Sequence, residues 1–580
     1  MGYCPRRLVF RAPEADQFTY HTPIQCGPRL WAWIQAFTPS QRHLSGTLCL
    51  FEADAFEFVL HFCIDFLIGN MFPRFLESSA IAAWTIATIL PIGSCGPTAR
   101  DVLARTPAAG INVKSLAPYL SPTAKIYYPG STAFTNYTVR WSNLEKPTPS
   151  VVIVAGTEKD VSRIVKFASE QDIPVLAYNG HHGALSTLGR MDYGIEIYLP
   201  QLNTISIAKN KNLVTIGGGT NSKKLTDALW AAGKQTVTGT CECVSYLGPA
   251  LGGGHGWLQG HHGLIADQFT SMNVVLANGD LKTIDATSDL WWAMQGAGHN
   301  FGIVTSVTSK IYDIVDTNWA IETIIFSGEK VEAIYEAANS VFIQNGTQSA
   351  KIHNWSYWQN DASLDADKPV IIMYIIQEGV TAVESRYTKP FHDLGPLKAT
   401  PQAGTYHDLG AWTGIALDSP PCQDFGFNNP RFPIYTKSYN TTAQKKAYEL
   451  YASAISGADS PYTNSIFMFE DYATAGIRNR PDGASAFAFR DAHILAAPLI
   501  IYASANKTQD DAVKQLGSQL REIIREGTGS SELHTYVNYA YGDEGTKSWY
   551  GYETWRQDRL KALKMKYDPK SKFNFYAGIA

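Results

Sequence analysis

A chain of 580 residues with 45% hydrophobic, 12% aromatic and 17% charged residues has the material for a large buried core and roughly two to four domains. Its 48 Lys and Arg against 52 Asp and Glu leave a formal charge of -4, so no global field draws it to nucleic acid or an anionic membrane, and a small molecule is the expected partner. The eight cysteines form no pair of C-x-x-C units, and Cys241 and Cys243 stand one residue apart, too close for an ordinary zinc knuckle, so no metal site is expected.

Residues 1–70 are rich in aromatics but show no steady period. From Met71 the text reads as a secretory signal. Arg74 supplies a short basic region, residues 80–92 are apolar except for Thr85 and Thr88, and the small residues Gly93, Ser94, Gly96 and Ala99 follow. The stretch 56–72 is also apolar but contains Glu57, His61 and Asp65, which a membrane span tolerates poorly. A cleaved signal starting at Met71 is therefore favoured over an anchor, with residues 1–99 as an N-terminal extension and no stable membrane partner. Sequons at Asn136, Asn345, Asn354, Asn440 and Asn506 fit a secretory, secreted or vesicular route.

From about Lys125 regular elements appear. Residues 151–155 are a β-branched run, 157–160 open a helix on a capping Thr157, 161–169 keep a helical apolar period, and 174–177 read as a strand. This βαβ unit ends on Asn179-Gly180-His181-His182-Gly183. Strands are expected at 195–199, 202–208 and 213–217, then a helix over 221–232 ending at Gly233. Strands 272–277 and 281–285 flank Asn278-Gly279, a strong hairpin signal. Between 319 and 527 long alternating strands (321–326, 351–358, 369–377) are separated by amphipathic helices (330–344, 509–525), as in an antiparallel sheet covered on one face. Residues 549–575 return to a helical, charge-balanced pattern. The expected class is α+β, with lobes at 125–318 and 319–527 and a C-terminal module at 528–580.

Chemistry concentrates in two glycine-flanked segments. No Gly-x-Gly-x-x-Gly opens a helix after the first strand, which disfavours a nicotinamide-binding domain. Glycine-dense turns still let backbone N–H groups approach a pyrophosphate. A lone histidine is often a satisfied core residue and a lone cysteine a small buried hydrophobe. Here His182 and Cys241 each stand among glycines in successive turns of one lobe, where they could hold one aromatic cofactor from two sides.

Asn179-Gly180-His181-His182-Gly183, the stretch from Cys241 through Val244 into Leu251-Gly252-Gly253-Gly254-His255-Gly256, and Gly263-Leu264 with Asp267 resemble the flavin-binding domain of berberine-bridge-enzyme-like oxidoreductases. These are vanillyl-alcohol-oxidase, or PCMH-type, flavoproteins. The run Asp289 to Val304, including Gly302, and later Tyr536-Val537-Asn538-Tyr539 extend the similarity over roughly residues 125–580. The resemblance implies a two-lobed FAD-binding domain completed by the C-terminal module, with a separate substrate domain. It implies FAD bonded through His182, rather than His181, to the 8α-methyl. It also implies a bond from Cys241, eleven residues before Gly252, to flavin C6, with Cys243 as the competing thiol. The usual Cys-Pro-Thr is here Cys241-Glu242-Cys243, and Ser245 replaces a glycine. Tyr178, Asn179, Gly180, His181, Gly183, Gly252, Gly253, Gly256, Asp267, Gly302 and Val304 would complete the cofactor site. Val244, small where poorer oxidases carry Leu, points to dioxygen as electron acceptor.

Hydride transfer to flavin N5 needs a base for the substrate proton, and a tyrosinate of lowered pKa can serve. Tyr539 is the expected base with Tyr536 as helper, the two sharing a face unless the segment is a regular strand. Arg490 and His493 are expected either to face the flavin or, for Arg490, to pair with Asp491 at the surface. The function that follows is oxidation of an alcohol or activated C–H of a small molecule, of the kind met in secondary metabolism. A carbohydrate oxidase is the alternative within the class, and a flavin-binding protein without turnover the alternative outside it.

Overall fold

The computed structural model describes residues 111–579 except Ala458, so the signal-like segment at Met71 lies outside the described residues. A four-stranded sheet runs in the order Lys125–Tyr127, Val151–Val154, Ile195–Tyr198, Val175–Tyr178, the last three parallel. Helix Glu158–Glu170 crosses over it, its start fixed by a capping box in which Thr157 and Asp160 satisfy each other's backbone N–H groups. Val161, Ile164, Val165 and Ala168 bury the helix against the sheet. The expected βαβ unit is present, but strand Ile195–Tyr198 lies between its two strands.

A second sheet, wholly antiparallel, orders Ile205–Ile207, Leu213–Gly217, Ile303–Lys310, Phe269–Val275 and Leu281–Ile284. The hairpin expected at Asn278-Gly279 forms, with a longer loop than the two-residue turn this dipeptide often makes: Asn278 Oδ1 accepts from the Asp280 N–H, and Gly279 takes φ +87°. A Cβ there would stand 2.8 Å from the Lys166 backbone. The glycine thus lets the hairpin dock on the crossover helix.

Residues 319–499 form a seven-stranded antiparallel sheet in the order Lys398–Gly404, Trp319–Phe326, Asp365–Glu378, Ile352–Asp361, Ile466–Asp471, Ile494–Leu499, Ile434–Thr436. Helices Val331–Ala338, Thr441–Ile455 and Lys507–Gly527 cover one face. The period-two alternation sorts strand Ile466–Asp471 between the faces. Phe467 and Phe469 pack under the helices, while Met468 and Glu470 point the other way, toward the first lobe. Each fully buried aliphatic such as Leu520 contributes about 1.5–3 kcal/mol to this docking. The helix expected over 330–344 stops at Ala338 and passes into a π-turn at Asn339–Ile343, where Asn339 exchanges two hydrogen bonds with the Tyr439 backbone.

The C-terminal segment returns to the first lobe. Asn300 donates to Tyr550 Oη (2.9 Å) and accepts from the Ile579 N–H (2.9 Å), and buried Lys564 bridges Asp568, the Asn300 carbonyl and the Phe573 carbonyl. One expectation is corrected: Asn354 is fully buried in a central strand, its amide donating to the Tyr374 carbonyl, so that sequon offers no acceptor for a glycan.

Candidate active site

A cavity of about 810 Å³ opens where the first lobe, the bare face of the seven-stranded sheet and the C-terminal segment meet, at the upper end of the roughly 300–1,000 Å³ found for small-molecule sites. Its first wall is the turn after strand Val175–Tyr178. A Cβ on Gly180 would lie 2.9 Å from the Ser245 nitrogen, so only glycine lets this turn press on the cysteine-bearing loop. His181 takes a left-handed φ of +41°, a conformation that costs a non-glycine residue on the order of 1–3 kcal/mol. That reversal stacks His182 on Trp141, with ring centroids 5.4 Å apart. Burial, with the Arg431 charge adding to it, pushes the His182 imidazole down to about 3, so the ring is neutral at physiological pH.

Cys243 is bonded to Cys422, 179 residues away, and Cys241 is the free cysteine among the described residues. The thiol that competed with Cys241 in the sequence is thus already taken. Nothing in the 241–243 spacing foretold it, because the partner comes from the other lobe. Cys243 Sγ lies 3.3 Å from His182 Nε2. A bridge sulfur carries no proton and can only accept, so Nε2 carries the hydrogen and Nδ1 keeps its lone pair. Cys241 lines the cavity, its thiol pushed up by burial to about 11.

The opposite wall handles protons. Tyr536 and Tyr539 lie on an irregular turn with ring centroids 5.2 Å apart, so they share a face. Tyr539 donates to Glu470 Oε1 at 3.0 Å and Tyr472 to Glu470 Oε2 at 2.9 Å. The expectation of a tyrosine with lowered pKa is corrected: burial, reinforced by the Glu470 charge, raises Tyr539 well above its ordinary value, with Arg431 only partly opposing. Tyr536 is raised as well, again by burial. The group near neutrality is Glu470, lifted by burial from 4.5 to about 7. Sequence reading missed it; its signal was two acids, Glu470 and Asp471, closing an otherwise apolar strand. Arg431, also missed, places its guanidinium 4.4 Å from the Trp141 ring centre and 4.3 Å from that of Tyr539.

Residues 149–285 match a family model described as FAD binding domain, and residues 535–580 one described as berberine and berberine like. FAD-linked oxidoreductase chyH of Penicillium rubens is 55% identical over 509 residues, covering 87% of this chain and 100% of that protein. FAD-linked oxidoreductase chry5 of Gibberella zeae is 52% identical, covering 81% and 95%. The chain is a berberine-bridge-enzyme-like FAD-linked oxidoreductase. The fold is shared with Physcomitrella patens BBE-like 1 (TM-score 0.69, 20% identity, 81% of this chain and 99% of that one). It is also shared with a xylooligosaccharide oxidase from Myceliophthora thermophila (TM-score 0.67, 21% identity, 79% and 97%).

The residues of this oxidoreductase fit FAD. A neutral imidazole and a free thiol face one cavity, and His181 Nδ1, His299 Nδ1, Asn538 Oδ1 and Arg431 Nε are buried along its wall without protein partners. Tyr178, Asn179, Gly180, His181, His182, Gly183, Cys241, Val244, Tyr536 and Tyr539 all line it. The structure places the other expected residues elsewhere. Gly252 packs on Asn538, Gly253 on Phe487 and Gly256 on the Thr238 carbonyl, each where a Cβ would collide. Gly302 packs on Val275 and Val304 is buried in the core. Asp267 pairs with Arg480 (2.6 Å) and Arg490 (2.9 Å), tying the lobes together. Arg490 therefore neither faces the cavity nor pairs with Asp491, which meets Lys437 instead. His493 is buried beside Thr474, away from the cavity.

Proposed function

We propose that this oxidoreductase carries its flavin on two covalent bonds, from His182 to the 8α-methyl and from Cys241 to C6. On this reading it oxidises an alcohol or activated C–H of a small molecule. The observation that carries the reading is the convergence, in one cavity, of a neutral histidine, a free thiol and the Tyr539–Glu470 couple. Bound FAD supplies the hydride acceptor, and dioxygen is the final oxidant. The chain's part is proton transfer and placement. The Tyr539 phenol takes the substrate proton as it yields its own to Glu470, a carboxylate poised near neutral pH. Tyr472 holds the second carboxylate oxygen so that the first stays aimed at Tyr539. Tyr536, hydrogen-bonded to Asn538 and packed on His255, fixes the neighbouring wall. The modest bulk of Val244 at the cavity wall supports reaction with dioxygen.

The amides of Gln359 and Asn464 beside aromatic walls favour a sugar as the second substrate class. A secretory route is supported by the bridge between Cys243 and Cys422, since such bonds persist in oxidising compartments, and by exposed Asn136 in its sequon. Anaerobic flavin bleaching screened over alcohols and sugars tests the activity, and a flavin that no substrate reduces would leave only the binding-protein reading. Acid denaturation tests the tethers: FAD released into the supernatant would refute both.

A further inference from the structure

We propose that the Cys243–Cys422 bridge keeps the Cys241 thiol free for the flavin, and that Cys241 can exchange into that bridge and so withdraw itself from the cavity. The proposal rests on the reading that His182 and Cys241 carry the flavin. The Cys241 sulfur lies 3.7 Å from the Cys243 sulfur and 3.6 Å from that of Cys422. Three sulfurs are thus in mutual contact, and only two of them can be bonded at a time.

Which two are bonded decides the state of the site. With Cys243 and Cys422 joined, Cys241 keeps its thiol in the cavity, and the protonless Cys243 sulfur makes His182 donate from Nε2, leaving Nδ1 bare. With Cys241 and Cys422 joined, the cavity loses its thiol, and Cys243 presents an S–H to His182 that can donate as well as accept. The exchange needs no outside oxidant. Cys241 gives up its proton and its thiolate bonds to the Cys422 sulfur; the Cys243–Cys422 bond breaks with its electron pair on Cys243, which takes the proton.

The loops that carry these residues do not depend on either bond to stay together. Between the two cysteines, the Glu242 N–H donates to the Ile415 carbonyl (3.1 Å), and Glu242 Oε2 accepts from the Leu417 N–H (3.0 Å). The departure Cys241-Glu242-Cys243 therefore acts as one unit, a clamp of Glu242 flanked by two alternative partners for Cys422.

The test is a non-reducing peptide map of the full-length protein, made in an oxidising secretory host and trapped with iodoacetamide. In the wild type we expect Cys243 linked to Cys422 and flavin on Cys241. In Cys243→Ser, Cys241 and Cys422 should link, passing two electrons and two protons to added glutathione disulfide, with loss of the Cys241 flavin peptide and retention of that on His182. A soluble, FAD-containing Cys243→Ser protein with flavin on Cys241 and Cys422 alkylated would overturn the proposal. Should that variant fail to fold, the wild type poised in glutathione buffers serves instead, where molecules lacking flavin on Cys241 should show both bridges; the Cys243–Cys422 bridge alone at every poise would overturn it. Both bridges in a wild type with no flavin on Cys241 would uphold the exchange and refute the attachment reading.

Discussion

Glu470→Gln separates the proton-transfer role of this side chain from any part it plays in the fold. In the wild type both carboxylate oxygens accept phenol hydrogen bonds, from Tyr539 and Tyr472, inside a fully buried site. Holding the proton up to about 7 rather than the ordinary 4.5 means that burial, net of the phenol hydrogen bonds and the Arg431 charge that oppose it, favours the neutral acid by about 3 kcal/mol. The amide keeps the shape and one acceptor but takes no proton. Loss of a positioned base slows proton transfer roughly 10²- to 10⁴-fold, or about 3–5 kcal/mol in the barrier. Anaerobic stopped-flow bleaching of the flavin reads this step directly. In the wild type the rate should rise about tenfold per pH unit below about 7, where Glu470 still holds its proton, and level off above. The variant should be slow and flat across that range. Stability should move the other way. The carboxyl's folded-state pKa is raised, so charging it costs the wild type stability as pH climbs from 4.5 through about 7, a cost the amide does not carry. A variant that bleaches within threefold of the wild type, with the same pH profile, would refute Glu470 as proton acceptor.

Tyr539→Phe keeps the ring under Arg431 but removes the phenol; flavin reduction should fall about 10²-fold or more, and near-normal reduction would sink the relay. Asp471 is buried with both oxygens unpartnered, and burial raises its pKa well above 3.8. A raised acid costs stability as pH rises above its unfolded pKa, so Asp471→Asn should raise Tm more at pH 8 than at pH 5, and an equal or lower Tm at both would count against it. Burial alone would raise Asp267, but the hydrogen bonds and charges of Arg490 and Arg480 outweigh it and hold the pKa below 3.8. Asp267→Asn should cost about 3–5 kcal/mol in denaturant unfolding at neutral pH, a difference that shrinks as acid protonates the wild-type carboxylate. Val244→Leu narrows the cavity wall beside the cysteine loop; reoxidation of reduced enzyme by dioxygen should slow while anaerobic reduction is unchanged, and equal reoxidation rates would remove Val244 from the oxidase reading.

What the sequence made legible follows from the range of the forces involved. The crossover helix was readable because its cap lies within four residues, from Thr157 to Asp160. The His181-His182 turn was readable because the glycines that shape it are adjacent in the chain. The second-face role of Glu470 was not, since period-two alternation says that a residue faces one side without saying which side meets the other lobe. The Cys422 partner and the Asp267–Arg490 pair depend on contacts 179 and 223 residues apart, which no local pattern encodes. At Gly252, Gly253 and Gly256, which the resemblance assigns to the cofactor site, a missing side chain serves ligand and backbone approach alike. Here the close approach is to the protein's own C-terminal segment and neighbouring loops.

Arg431 explains how one cavity holds groups of opposite need. On the proposed reading, a covalent anchor at His182 needs an uncharged ring, whereas a base at Glu470 needs a carboxylate that sheds its proton near neutrality. Burial alone satisfies the first and works against the second, since it disfavours charge on both. A cation within reach of both shifts each toward its deprotonated form, and Arg431 lowers His182, Cys241, Tyr539 and Glu470 together. It can do so because among the described residues no carboxylate lies within ion-pair distance of it. The guanidinium is held by the faces of Trp141 and Tyr539, which accept a cation without cancelling its charge. The stacking also ties electrostatics to geometry. Trp141 is the ring on which His182 rests, and Tyr539 is the phenol bonded to Glu470, so the cation that adds to burial at His182 and partly opposes it at Glu470 is positioned by the same rings that position them.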